Sequence, residues 1–124
     1  MNDLRTCVLV VDDDALIADF LAMILEDMGL DVCGNAATGA SAVAMAETYR
    51  PRVVLMDVRL RGEMDGVDAA IAIHEKVGSR VIFITGSMEP STTARIQMDH
   101  PTAVLFKPVS VHQLRVTVTA AMAA

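Results

Sequence analysis

Aromatic side chains are nearly missing from this sequence: three Phe, one Tyr and no Trp, 3% of the chain. Any core must therefore be aliphatic, built from Ala, Val, Leu, Ile and Met. An excess of positive charge is missing too. The net charge of −6 leaves no basic stripe to follow a phosphate backbone, so DNA binding is not expected. No apolar run approaches the length of a membrane span, and the N-terminus lacks a signal peptide's apolar core, so the chain reads as soluble and cytoplasmic. Cysteine is scarce. Cys7 and Cys33 have neither a CxxC spacing nor a histidine cluster nearby, and read as free buried thiols. His74, His100 and His112 are scattered and read as surface residues. What is abundant is apolar surface, 53% of residues against 21% charged, which excludes disorder. Over 124 residues this is enough for one domain, residues 1–124, with no linker and no internal repeat. The nine methionines read as filler of irregular aliphatic gaps.

The apolar residues fall into two patterns. Short unalternated runs between breakers mark strands buried on both faces. Cys7–Val11 runs straight into Asp12-Asp13-Asp14; Val53–Met56, opened by Pro51-Arg52, closes on Asp57. Leu30–Ala36, Arg80–Thr85 and Ala103–Phe106 are three more. Between them the period is helical. Ile17, Leu21, Ile24 and Met28 recur at i, i+4, i+7 and i+11, with Phe20 widening the stripe. Asp13 or Asp14 can cap that helix and Gly29 ends it. Leu16 and Met23 lie off the stripe, as extra core contacts or as a docking patch. Thr38-Gly39 opens an alanine-rich helix through Ala42, Val43 and Ala46, which Pro51 stops. After a polar loop from Val58 to Asp65, Asp65-Gly66 begins a helix with Val67, Ala70 and Ile71 that closes near Gly78. Gly86–Ser91 is a loop, followed by a short helix ending by His100-Pro101. The last segment, Val111–Ala124, is ambivalent. Val116–Thr119 alternates like a strand, but Val111, Leu114 and Val118 keep helical spacing, and the βα alternation favours a helix. Five strands alternating with five helices predict an α/β fold with a doubly wound parallel sheet and right-handed crossovers.

Parallel strands bring their carboxyl ends to one edge, where open α/β sheets keep their ligands. Four of the five predicted strands end in residues suited to phosphoryl chemistry: Asp12-Asp13, Asp57, Thr85 and Lys107. An aspartate at a strand end is a helix cap or a chemical group, and Asp57 alone leaves that open. Three converging carboxylates repel and need a proton or a cation. Oxygen ligands select a hard cation, and Mg²⁺ suits a site with few protein ligands. Lys107 adds an ammonium and Thr85 a hydroxyl donor, which together make a site for a phosphoryl group. Asp14 reads as a cap or a solvent-facing residue.

Val10-Val11-Asp12-Asp13, Leu55-Met56-Asp57, Met64-Asp65-Gly66, Ile84-Thr85-Gly86 and Phe106-Lys107-Pro108 occur in this order and spacing. In these motifs the chain resembles, over essentially its whole length, the receiver domain of two-component response regulators. The resemblance implies a flavodoxin-like sheet of order 2-1-3-4-5 and phosphorylation of Asp57 by a histidine kinase or histidine phosphotransfer protein. It implies Mg²⁺ held by Asp12, Asp13, Asp57 and the backbone carbonyl of Arg59, phosphoryl oxygens bound by Thr85 and Lys107, and a cis Lys107-Pro108 peptide. It further implies a stand-alone regulator, without an output domain, acting on an unspecified downstream protein and not as an enzyme beyond self-catalysed phosphotransfer and slow autodephosphorylation. The chain departs from the pattern in two places. The loop after Asp57 carries Arg61-Gly62-Glu63 where a proline is usual, and Val104 stands where an aromatic commonly swings inward. A β-branched valine cannot make that swing. The expected rearrangement therefore shifts to Gly86–Ser91, with Met88 as an apolar substitute for the ring. The face partners read is then the fourth helix with the fifth strand and last helix. Two rival readings are an aspartate-based phosphohydrolase, which would want an acid where Arg59 stands, and a degenerate receiver that binds partners without phosphorylation.

Overall fold

The computed structural model describes residues 4–86 and 89–123. Five strands alternate with five helices: β1 (Arg5–Val11), α1 (Ala15–Asp27), β2 (Asp31–Ala36), α2 (Gly39–Tyr49), β3 (Pro51–Asp57), α3 (Gly66–Lys76), β4 (Arg80–Thr85), α4 (Pro90–Met98), β5 (Ala103–Phe106) and α5 (Val111–Ala123). All strands are parallel, in the order β2-β1-β3-β4-β5, which is the flavodoxin-like arrangement. The central strands carry near-continuous apolar runs because helices cover both of their faces. Side chains alternate between two cores. Leu9, Val11, Val54, Met56, Val81 and Phe83 pack under α2, α3 and α4. Val8, Val10, Val53, Leu55, Ile82 and Ile84 pack under α1 and α5.

The element boundaries shift where local chemistry outweighs pattern. β3 begins at Pro51 itself, two residues before the apolar run. Proline is tolerated at the first position of a strand, where its missing N–H costs no ladder bond. Its carbonyl accepts a hydrogen bond from the buried Ser79 hydroxyl at 2.7 Å. β1 likewise starts at Arg5, whose N–H donates to the Arg50 carbonyl at 2.8 Å. β2 begins at Asp31, one residue after Leu30, and α4 begins at Pro90, inside the expected loop. Proline at the first helical turn has the right φ and no donor to strand there. The ambivalent last segment is a helix. Leu114, Val118 and Ala121 form its buried stripe, while Val111 and Val116 are exposed. Its last turn is tied to the sheet by Arg80, whose guanidinium donates to the Ala121 carbonyl at 2.6 Å, and more loosely by Arg52 to Met122 at 3.4 Å.

Three expectations about single side chains are corrected. Phe20 does not widen the buried stripe of α1. It is 45% exposed, and Ala18 and Leu25 take the inner positions. Ile71 of α3 is likewise exposed, with Ile73 buried instead. His74 is also not a free surface residue: it reaches from α3 to Asp99 beyond α4, with Nδ1 2.7 Å from Oδ2. No aligned hydrogen bond completes that contact.

The two thiols are free and lie side by side at the amino end of the sheet; Cys7 is buried as expected, but Cys33 is only half-buried. Val8 pairs with Val32 but Leu9 pairs with Gly34, so Cys33 is the extra residue of a β-bulge. Burial first, and then the neighbouring Cys7 thiol, push the Cys33 pKa up to about 12. A thiol that holds its proton so tightly is a poor nucleophile. Alkylation of Cys33 in the native protein at mildly alkaline pH should run about a thousandfold slower than that of a small free thiol. It should reach the ordinary rate in denaturant. Rapid native-state labelling, followed by mass spectrometry, would contradict this environment.

Candidate functional site

The carboxyl edge of the sheet gathers the expected residues. β1 ends at Val11, and the next residue, Asp12, is almost fully buried. Its Oδ1 accepts a hydrogen bond from the Asp14 N–H at 2.9 Å, which fixes the turn out of the strand. Asp14 is the cap of α1, accepting from Leu16 N–H at 3.0 Å and Ile17 N–H at 3.4 Å. That decides between the two candidate caps and leaves Asp13 to face the edge. Asp57 ends β3 and is also buried. One carboxylate oxygen from each of Asp12, Asp13 and Asp57 lies within 4.8 Å of the others.

Lys107 supplies the positive charge. Its Nζ lies 3.6 Å from Asp12 Oδ2 and 3.5 Å from Asp57 Oδ2, so one ammonium bridges two buried carboxylates. The peptide from Lys107 to Pro108 is cis, as the resemblance implies. The Lys107 N–H donates to the Thr85 carbonyl at 2.9 Å, which seats the start of the β5–α5 connection against the end of β4. Thr85 itself is buried one position beyond Ile84, the residue that faces Asp57 across the ladder. Arg59 meets Asp57 through its backbone N–H; the expectation from sequence concerned its carbonyl. An added Cβ at Gly86 would make only ordinary contact with Lys107 Cδ, so the entrance beside Thr85 is open. Met88, the expected substitute for an inward-turning ring, lies outside the described residues. Val104 is partly buried against the α2–α4 core.

Two features of the loop after Asp57 gain a physical reason from the structure. Arg61 forms a single parallel bridge with Thr38, and its Nε lies 3.9 Å from Asp13 Oδ2. Gly66 is obligatory for a different reason: a Cβ there would collide with the Asp57 backbone carbonyl. Its N–H donates to the Val58 carbonyl at 2.8 Å, so the first turn of α3 rests directly on the backbone of the acidic residue.

The electrostatics follow from burial. The Asp57 pKa is raised above its ordinary 3.8, chiefly because burial disfavours the charged form and secondarily because Asp12 lies close. Lys107 and the Arg59 N–H pull in the opposite direction without prevailing. The donor set fits a small hard cation. In an octahedral Mg²⁺ shell with bonds of about 2.1 Å, neighbouring oxygens are about 3.0 Å and opposite ones about 4.2 Å apart. Three carboxylates within 4.8 Å need little movement to reach those spacings. Beside such a cation, the arrangement offers a nucleophilic carboxylate, an ammonium and a hydroxyl at one open edge.

The response regulator receiver domain family model matches residues 8–119. The transcriptional regulatory protein PdtaR of Mycobacterium tuberculosis is 35% identical over 107 residues, covering 86% of this chain and 52% of PdtaR. The phyllosphere-induced regulator PhyR of Methylorubrum extorquens is 34% identical, covering 86% of this chain and 39% of PhyR. The chain thus spans about half or less of these curated relatives. Among solved structures, the receiver domain of a modulated diguanylate cyclase from Desulfovibrio desulfuricans G20 superposes with a TM-score of 0.89 at 36% identity. That match covers 97% of this chain and 94% of the other. The response regulator domain of Thermotoga maritima CheB gives 0.86 at 27%, covering 97% and 98%.

A raised Asp57 pKa has a definite consequence for stability. The protonated form is favoured in the folded state, so its contribution is fully present below the unfolded value of 3.8 and is lost as pH rises through the folded pKa. At neutral pH the ionised carboxylate therefore opposes folding. In EDTA, Asp57→Asn should raise the melting temperature by a few degrees at neutral pH, and the gain should shrink as the pH falls towards about 4. A gain larger in acid than at neutral pH would contradict this account of the pocket.

Proposed function

The chain belongs to the response regulator receiver domain family, and on that footing we propose that it is a phosphoacceptor in two-component or phosphorelay signalling, modified on Asp57. The observation that carries the reading is the Lys107 ammonium set 3.5 Å from Asp57 and 3.6 Å from Asp12, beside the third carboxylate of Asp13. Asp57 Oδ attacks the phosphorus. An oxygen–phosphorus bond forms as the nitrogen–phosphorus bond of a phosphohistidine, or the acyl oxygen–phosphorus bond of acetyl phosphate, breaks. Lys107 then exchanges a carboxylate partner for a phosphoryl oxygen, and the Thr85 hydroxyl donates to another. Asp12, Asp13, Asp57 and the Arg59 carbonyl would hold Mg²⁺, which when bound draws charge off the phosphoryl oxygens. Arg59, two residues beyond Asp57, leaves no second acid for a phosphohydrolase.

The same reading identifies the donor as a histidine kinase or histidine phosphotransfer protein in the cytoplasm. A second apolar stripe on α1 supports a protein donor. Leu16, Phe20 and Met23, at i, i+4 and i+7, are 81%, 45% and 59% exposed. They adjoin a groove of about 490 Å³ lined by Ile17, Phe20, Leu21, Lys107, Pro108 and Val109. An apolar surface that runs up to the site's own lysine suits a partner that must bring its phosphoryl group there. On the far side, Met98, Phe106 and Val116 leave α4, β5 and α5 with exposed apolar residues for a downstream protein.

Two measurements test this. Incubation with acetyl phosphate and Mg²⁺ should add one phosphoryl group by mass spectrometry; Asp57→Asn should gain none, and Asp13→Ala should lose Mg²⁺ binding. A fully phosphorylated Asp57→Asn would sink the assignment. Leu16→Asp combined with Met23→Asp should slow transfer from a phosphorylated histidine protein by about tenfold or more. The rate from acetyl phosphate should not change, and equal slowing with both donors would refute the docking face.

A further inference from the structure

Helix α4 is weakly seated by apolar packing. Ile96 is its one buried side chain. What holds it against α3 is charge. Arg95 reaches from α4 to the first turn of α3, with Nη1 2.6 Å from Asp65 Oδ2, and Nη2 3.3 Å from Asp65 Oδ1 and 3.2 Å from Asp68 Oδ1. The first two bonds form a bidentate fork on one carboxylate, the strongest geometry an arginine can make. One turn beyond Arg95, the C-cap Asp99 meets His74 near the other end of α3.

The two carboxylates are not incidental surface charges. Asp65 and Asp68 form a reciprocal capping box: Asp65 Oδ1 accepts from the Asp68 N–H at 3.0 Å, and Asp68 Oδ2 accepts from the Asp65 N–H at 3.3 Å. That box holds the helix start whose next residue, Gly66, lies against the Asp57 carbonyl and bonds Val58. Burial works against ionising Asp65, yet the Arg95 and Asp68 hydrogen bonds and the Arg95 charge outweigh it and hold its carboxyl below the usual range. The fork is therefore present throughout the neutral range.

We propose that Arg95 is a positioning residue that links α4 mechanically to the backbone of Asp57, through the Asp65–Asp68 capping box and the Gly66 contact. The relay rests on the reading of Asp57 as the phosphoacceptor, but the link itself does not. It reaches α4 across α3 and does not use the β4–α4 connection. Linkage is reciprocal, so whatever moves the Asp57 loop biases α4, and whatever holds α4 biases the loop.

Amide hydrogen exchange on the wild type and Arg95→Gln decides it. In plain buffer the variant should exchange about two- to tenfold faster both at residues 90–98 and at residues 65–69, with an unchanged pattern in β1 and β3. Arg95→Lys, which keeps the charge and loses the fork, should fall between. Faster exchange confined to residues 90–98 would reduce Arg95 to a local contact and overturn the proposal, as would no change at either end. Adding Mg²⁺ and beryllofluoride then tests the relay. In the wild type, protection should change near residue 57 and in residues 90–98. In Arg95→Gln the first change should persist and the second fall by at least half. A full α4 response in the variant overturns the relay. Silence near residue 57 in both proteins would instead count against Asp57 as acceptor, leaving the plain-buffer result to decide the link.

Discussion

The structure depends on one ammonium placed between two buried carboxylates. Asp12 and Asp57 sit at the ends of adjacent central strands, inside a sheet covered on both faces. Two carboxylates so close and so little solvated repel each other unless a positive charge lies between them. Lys107 comes from the far end of β5 and the cis peptide that follows it, and its charge reaches both. The third strand-end acid, Asp13, is more open and has Arg61 near it. The site is thus poised and not satisfied: desolvation still raises Asp57 despite the lysine. A group that brings further positive charge, or spreads the negative charge outward, relieves a tension already present in the fold.

Much of this was legible in the sequence because it rests on short-range pattern. Unalternated apolar runs ending in Asp12, Asp57, Thr85 and Lys107 mark strands, and a parallel sheet carries their ends to one edge without any further information. The misses share a cause. Phe20 keeps helical spacing but faces out, because Ala18 and Leu25 fill the space above Val8 and Val10. The β3 start at Pro51 depends on Ser79 and Arg5, distant residues whose bonds no local window contains. Arg95 and Arg61 are single arginines in polar segments. Their partners are set by how α4 and the loop after Asp57 lie in space, and spacing does not encode that.

Helix α4 and helix α5 are attached by opposite means. α5 buries a stripe of Leu114, Val118 and Ala121 and has its last carbonyls bonded by Arg80 and Arg52. α4 buries Ile96 and leans on ion pairs across to α3. Apolar packing tolerates salt and pH, whereas exposed ion pairs weaken as ionic strength rises. Elements that change position in a switching protein are drawn from the less stable end of its structure. By this measure α4 is less firmly seated than α5, which lies over the opposite face of the sheet.

The bulge at Cys33 has one more consequence. An open parallel sheet has two edges, each presenting backbone donors and acceptors that could pair with a strand of another molecule. β5 is only four residues long and runs into Lys107-Pro108, so it offers little template. β2 is longer, and its extra residue between Val32 and Gly34 breaks the regular spacing on its outer side. Asp31 and Asn35 add polar side chains along the same edge. An irregularity that sets a half-buried thiol into the strand thereby also makes this edge a poorer template for a strand of another molecule. A strongly apolar protein, crowded among its own copies, needs such protection.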